Sequence, residues 1–175
     1  MPHWQEELKE WIKALLLAVV LAVILRVFVV DNYIVDGDSM LPTLHDQERV
    51  LVYKLDRILG KEPERGDIVV FQYSREPWRD FVKRVVGVEG DEVEIRDGKL
   101  FINGIAQNEP YLSAPTLGSY GPQIVPAGTV FVLGDNRNIS MDSRDSQVDM
   151  VSLESIKGRA VIVYWPLKAL RLLRR

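Results

Sequence analysis

The stretch "DFVKRVVGVEGDEVEIRDGKLFING", residues 80–104, decides the fold. Its apolar residues do not recur at the three- and four-residue spacing of a helix. They run in short blocks rich in Val, Ile and Phe, separated by turn pairs. Residues 81–88 and 92–96 read as strands, and residues 99–102 as a third. Asp97-Gly98 supplies the tight turn of a hairpin, because glycine reaches the positive φ such a turn needs, and Asn103-Gly104 supplies another. Outward from this stretch the same pattern returns at residues 49–53, 68–73, 129–133 and 159–164. No long amphipathic pattern interrupts these blocks, which argues against a parallel α/β sheet. The expected fold is mainly β, an antiparallel β-barrel or sandwich. Residues 108–126 are rich in Pro, Gly and Ser and read as a long loop or a small insert, around 103–126 in all.

The N-terminal region is of another kind. Residues 14–30 are apolar except for Arg26. With Trp11 and Ile12 they make roughly 19 residues, against the ~20 that a spanning helix needs. Trp4 and Trp11 suit a membrane interface, and Arg26 lies near the far end, where its head can reach the headgroups. A buried core helix is the alternative. Lys9 and Lys13 place the N-terminus on the cytoplasmic side, since the positive-inside rule largely ignores the nearby Glu6, Glu7 and Glu10. The expectation is therefore a cytoplasmic stub and one transmembrane helix over residues 1–31. An extracytoplasmic β domain follows over residues 32–175. The C-terminal "LKALRLLRR" reads either as a solvated tail or as an amphipathic patch on anionic lipid.

Composition removes several function classes. The 175 residues carry a formal charge of -3, contrary to the basic excess of a nucleic-acid binder. There is no cysteine, so disulfides, thiolate zinc sites and cysteine nucleophiles are excluded. Two histidines, His3 and His45, are too few for a histidine-rich metal site. No metal and no cofactor is implied.

Just beyond the apolar run stands "DGDSMLPTL", residues 36–44, with Ser39 between an acidic Gly-containing turn and Met-Leu-Pro. Ser39 could be a turn residue, a helix cap or a nucleophile, and a nucleophilic serine needs a base. His3 precedes the span and falls on the wrong side of the membrane. His45 is close in sequence, but no group to orient it is evident, and a surface histidine is the favoured account of it. Lysine is the other choice, provided burial lowers its pKa from about 10.4. Lys83 fits, because alternation puts it on the apolar face with Phe81 and Val85 while Arg84 points away. An outward or edge position for Lys83 is the alternative.

Four segments follow the apolar run in order: "DGDSMLPTL", "RGDIVVF", "FVKRVVGVEGDEVEI" and "LGDNRNISMDSR". Together they resemble the type I signal peptidases, Ser/Lys enzymes that remove signal peptides from exported proteins, over nearly the whole chain up to about Pro166. The resemblance implies Ser39 as nucleophile and Lys83 as general base. It implies that the Ser140 hydroxyl bonds and orients the lysine, that Asp142 pairs with Arg144 beside the site, and that residues 134–137 form the turn that shapes it. Some members carry a serine, whose hydroxyl helps hold the oxyanion, where this chain has Gly37. Gly37 could supply a backbone group or a water, with the Ser39 N–H as the other donor. Glu89 stands where many members have proline, which affects a turn and not the chemistry.

The implied reaction is hydrolysis through an acyl-serine. The partners are signal peptides of exported pre-proteins and the lipid bilayer, with small residues preferred just before the cut and two positions upstream. Met40, Leu41, Trp78 and Trp165 could present apolar surface to the bilayer, with core packing as the alternative for each. Two rivals stand beside this reading. Self-cleaving repressors share Ser/Lys chemistry but cleave an Ala-Gly before the serine, and here Ala127-Gly128 comes after it. A membrane-anchored β module that only binds partners would not react with a serine-directed acylating agent.

Overall fold

The computed structural model describes residues 3–174, with the side chains of residues 3, 5, 6, 24, 25, 27 and 57 outside that description. The expected outer limits at residues 1 and 175, and the His3 imidazole, therefore lie outside the described residues. A helix α1, His3–Ile24, runs into a π-helical turn, Leu25–Val29. Then come β1 Val30–Ile34, β2 Arg49–Tyr53, the short α2 Leu55–Ile58, β3 Ile68–Gln72 and β4 Asp80–Gly87. They are followed by β5 Glu92–Arg96, β6 Lys99–Ile102, β7 Ile105–Ala106, β8 Tyr120–Ile124 and β9 Thr129–Leu133. β10 Val151–Ser152, β11 Ile156–Trp165 and β12 Arg171–Leu172 complete the set.

Two antiparallel sheets result. The larger runs β1-β2-β11-β3-β4-β9-β10, with β12 paired to β11, and the smaller runs β7-β6-β5-β8. The larger sheet ends openly at β1 and β10, so the barrel half of the expectation is corrected: no closed barrel forms among the described residues. The strands expected at 49–53, 92–96, 99–102 and 129–133 stand at those bounds. The 103–126 segment is not loop throughout, because β7 pairs with β6 and β8 with β5 to complete the smaller sheet.

The apolar run divides differently from a single span. Among the described residues no helix is long and apolar enough to cross a membrane. The first turns of α1 carry Glu7, Lys9, Glu10 and Lys13, α1 stops at Ile24, and Val30 is taken into the sheet opposite Tyr53. The apolar side chains of α1 are nonetheless open, with Leu15, Leu16 and Leu17 all more than half exposed.

The C-terminus is not a free tail. Leu173 packs against the cluster of Val35, Met40, Leu44, Val50 and Val52. Arg171 grips Glu48 with two hydrogen bonds, at 2.8 and 2.6 Å. Burial works against the Glu48 carboxylate, yet those bonds hold its pKa below the ordinary value. Leu167, Leu170 and Leu172 remain exposed along this edge. Among the residues read as possible apolar surface, Met40 is corrected: it is fully buried. Leu41 is half-buried, while Trp78 and Trp165 are exposed.

Candidate active site

Ser39 sits on a loop fastened on both sides. Met40 and Leu44, one turn apart, both point into the core, and the Leu44 N–H donates to Met40 O at 2.9 Å. On the other side Gly37 takes φ +86°, a conformation that favours glycine, and its N–H donates to Asp46 Oδ1 at 2.8 Å. That N–H is thereby committed, so Gly37 does not offer it to a substrate oxygen. The loop is held from across the cleft too, where the Asn136 N–H donates to Ser39 O at 3.0 Å and Asn136 Nδ2 to Asp38 O at 3.2 Å. Thr43 Oγ1 donates to Asp135 Oδ2 at 2.5 Å.

Lys83 lies mid-strand in β4, opposite Val69 of β3. It is 4% exposed, on the face that carries Phe81 and Val85, as the alternation predicts. Its Nζ is 2.8 Å from Ser39 Oγ and 3.0 Å from Val82 O, and 5.1 Å from the centre of the Phe81 ring. Burial pulls the pKa of this ammonium from its ordinary 10.5 to about 8; the Asp142 and Asp135 carboxylates oppose the drop and the Arg79 guanidinium adds to it. The amine is thus neutral in an appreciable fraction of molecules near neutral pH, and Ser39 Oγ is the hydroxyl within its reach.

The far wall of the cleft is the segment 134–144. Asp142, fully buried, takes Arg144 Nε on Oδ1 at 2.8 Å and Arg144 Nη2 on Oδ2 at 2.9 Å. Its Oδ2 also accepts the Gly134 N–H at 3.0 Å, so the pair braces the turn. Gly134 could be nothing else: a methyl on its Cα would collide with Ser140 Oγ and lie 2.5 Å from Ser39 O. Ser140 differs from expectation. Its hydroxyl is buried against Gly134 but has no hydrogen-bond partner among the described residues, because the Lys83 amine is turned to Ser39 Oγ and Val82 O instead.

Ser39 and Lys83 open into a cleft of about 280 Å³, walled by Val35, Val50, Phe81, Val82, Ile139 and Met141. His45 does not line it; its side chain is exposed and its backbone N–H is bound by Glu48 Oε2 at 3.0 Å. Among the described residues no group of His, Asp and Glu is placed to hold a metal ion.

Sequence reasoning missed the support behind the wall. Arg84, next to Lys83 but facing the other way, donates Nε to Asp135 Oδ1 at 2.8 Å and Nη2 to Oδ2 at 2.7 Å. It also stacks on Tyr111, with 4.0 Å between guanidinium carbon and ring centre. The signal was present in "VKRVV", where a second charge stands inside the same apolar block.

Comparison with known proteins identifies the family. The family described as "Signal peptidase, peptidase S26" matches residues 8–165. Signal peptidase I of Bacillus licheniformis is 42% identical over 177 residues, covering 95% of this chain and 94% of that one. Signal peptidase I S of Bacillus subtilis (strain 168) is 40% identical over 178 residues, with 95% and 94% covered. Among solved structures, a signal peptidase I from Enterococcus faecalis V583 is 34% identical with a TM-score of 0.51, covering 57% of this chain and 97% of that chain. With the family match spanning most of the sequence and a serine at the mouth of the cleft, the chain belongs to the signal peptidase family, peptidase S26, and is a serine peptidase of the signal peptidase I type.

Proposed function

We propose that this chain cleaves N-terminal signal peptides from exported pre-proteins with Ser39 as nucleophile and Lys83 as general base. What carries the assignment is the 2.8 Å contact between Lys83 Nζ and Ser39 Oγ, made by a lysine whose pKa burial has brought to about 8. The neutral amine takes the Ser39 proton along this line as Oγ bonds to the scissile carbonyl carbon. The lysine, now charged, gives a proton to the leaving amine as the C–N bond breaks. Neutral again, it removes a proton from water as the water oxygen attacks the acyl-serine, and it returns that proton to Ser39 Oγ as the ester C–O bond breaks and the carboxylic acid product leaves. The Ser39 N–H serves the oxyanion, and Ser140 orients the lysine during turnover. Asp142 and Arg144 fix the wall on which Ser140 stands.

The apolar side chains on α1 hold the chain to the cytoplasmic membrane, the N-terminus inside and the sheets outside. Their exposure supports this, since a patch of this kind calls for an apolar partner. Alkaline extraction of membranes then leaves the protein in the pellet, and release into the supernatant would overturn the anchor. The catalytic reading is tested by incubating a pre-protein in detergent with wild type and Ser39→Ala. Cleavage to the mature form is expected with wild type alone; an active Ser39→Ala would overturn the nucleophile.

A further inference from the structure

Resting on the Ser39–Lys83 reading above, we propose that Glu109, on the loop between β7 and β8 of the smaller sheet, is a positioning residue for that pair and acts through Arg137. The Glu109 carboxylate receives Arg137 Nη1 at 3.0 Å and a second bond from Nη2, while Tyr111 Oη donates to its Oε1 at 2.7 Å. Both members of the ion pair are buried, with side chains 1% and 7% exposed. Arg137 in turn donates Nε to Gly134 O at 3.1 Å and Nη1 to Thr116 Oγ1 at 3.2 Å. Gly134 is the residue whose Cα is pressed between Ser39 O and Ser140 Oγ. A line of contacts thus runs from the smaller sheet's loop to the Gly134 peptide unit, which lies between Ser39 O and Ser140 Oγ. The same loop is latched beside it, where the Leu117 N–H donates to Asn138 Oδ1 at 2.9 Å and Asn138 Nδ2 to Pro115 O at 3.2 Å.

The charge of Glu109 is essential to this role. A guanidinium this deeply buried is stable only with an anion against it, and Thr116 and Gly134 supply dipoles, not charge. Without the carboxylate, Arg137 must draw in water or leave, and Gly134 O loses its donor. A misplacement of about 1 Å at a nucleophile and its base is enough to slow a reaction strongly. Glu109 does not line the cleft, so peptide binding should hardly change. Lys83 should respond. It is faced by Arg79 from the turn before β4 and by Asp142 and Asp135 from the wall, but burial is the largest influence on it. A loosened wall admits water and lets its pKa rise toward that of an ordinary lysine.

The test compares Glu109→Gln, Glu109→Asp and Arg65→Met in the full-length protein in detergent, on a signal-sequence peptide from pH 5 to 10. Arg65→Met is the control, since it breaks the ion pair with the buried Asp91 carboxylate, which also holds Asn103 beside the smaller sheet, and neither residue lines the cleft. Glu109→Gln is expected to lower kcat by about 10- to 100-fold with KM within about twofold, and to move the acid limb up by about half a pH unit or more. Glu109→Asp, which keeps the charge, should fall between it and wild type. Arg65→Met should lower the melting temperature without moving kcat or the acid limb. If folded Glu109→Gln keeps the wild-type kcat and acid limb, or merely matches Arg65→Met, the role is overturned. If Glu109→Gln does not fold, the same criteria apply to Glu109→Asp. Ser39→Ala run in parallel separates the two claims: activity retained there sinks the catalytic pair itself, whereas an inactive Ser39→Ala beside an unchanged Glu109→Gln sinks only the positioning role.

Discussion

Lys83 and Arg84 stand side by side on β4, 4% and 2% exposed, and face opposite sides of the sheet. Arg84 is surrounded by compensation, with two hydrogen bonds to Asp135, one to Gly66 O at 2.8 Å and the face of Tyr111. Burial works against its charge, but the Asp135 bonds and charge outweigh that, and its pKa lies above the ordinary value. Lys83 has no carboxylate in hydrogen-bond contact among its described partners, only a hydroxyl, a carbonyl and an aromatic ring. Its pKa falls to about 8. Two cationic residue types at the same depth therefore have opposite fates. The difference lies in whether an anion touches the charged head, and it separates a brace from the lysine proposed above as the base.

Lys83→Met should break this comparison most sharply. The side chains are similar in volume, so the strand should keep its packing. Cleavage of a signal-sequence peptide should vanish, and residual activity above a few per cent of wild type would show that Lys83 is not the base. Stability should move the other way. The folded pKa of about 8 lies below the ordinary 10.5, so below pH 8 both states are protonated and the folded state bears the whole cost of burial. Between those values the unfolded chain holds a proton that the folded one lacks, and wild-type stability rises with pH. The variant escapes this cost and should be more stable at pH 7 by on the order of 3 kcal/mol. That gain should fade toward zero above pH 10.5, as urea denaturation at pH 7 and at high pH would reveal.

Arg84→Met should do the reverse. It leaves the fully buried Asp135 carboxylate with the Thr43 hydroxyl but no cation in contact. Removing one partner of such a pair destabilises by about 3–5 kcal/mol. A melting temperature equal to that of wild type would mean that the pair adds nothing and that the contrast with Lys83 is one of geometry alone.

The unequal legibility of these two residues has a physical cause. Local pattern exposed Lys83, since strand alternation fixes which face it shares and a lone amine there is conspicuous. The same block displayed Arg84, but its partner Asp135 lies on a distant segment, and sequence spacing does not encode which anion a cation meets. Strand β1 was hidden for a related reason. Val30 and its neighbours continue an apolar run, and only pairing with β2 makes them strand. Strand β8 was masked by the Gly and Pro of "YGPQI", which read as loop until β5 offers its edge. The role of the last residues likewise depends on Glu48, more than a hundred positions away.

Ser140→Ala sharpens the comparison further, because its hydroxyl is buried with no hydrogen-bond partner among the described residues. Removing it loses no hydrogen bond of the resting protein, so stability should hold or rise slightly. If Ser140 orients Lys83 during turnover, kcat should nevertheless drop about 10- to 1000-fold. Unchanged kinetics would make Ser140 packing for Gly134 and nothing more.

His45→Ala is expected to have the smallest effect of all. Its side chain is exposed and outside the cleft, and its backbone bond to Glu48 survives the substitution. A lysine base is active when neutral, so activity should rise with pH through an acid limb near pH 8, where Lys83 loses its proton. A histidine base would place that rise near pH 6.5. Initial rates on a short signal-sequence peptide from pH 5 to 10 should therefore superimpose for wild type and His45→Ala. Because Arg79, Asp142 and Asp135 are the charges that act on Lys83, removing an imidazole outside that group leaves the lysine's balance of burial and charge as it was. An acid limb that shifts or disappears with His45 would mean that the proton leaving Ser39 goes to the imidazole, and the 2.8 Å contact with Lys83 would then be a brace like that of Arg84.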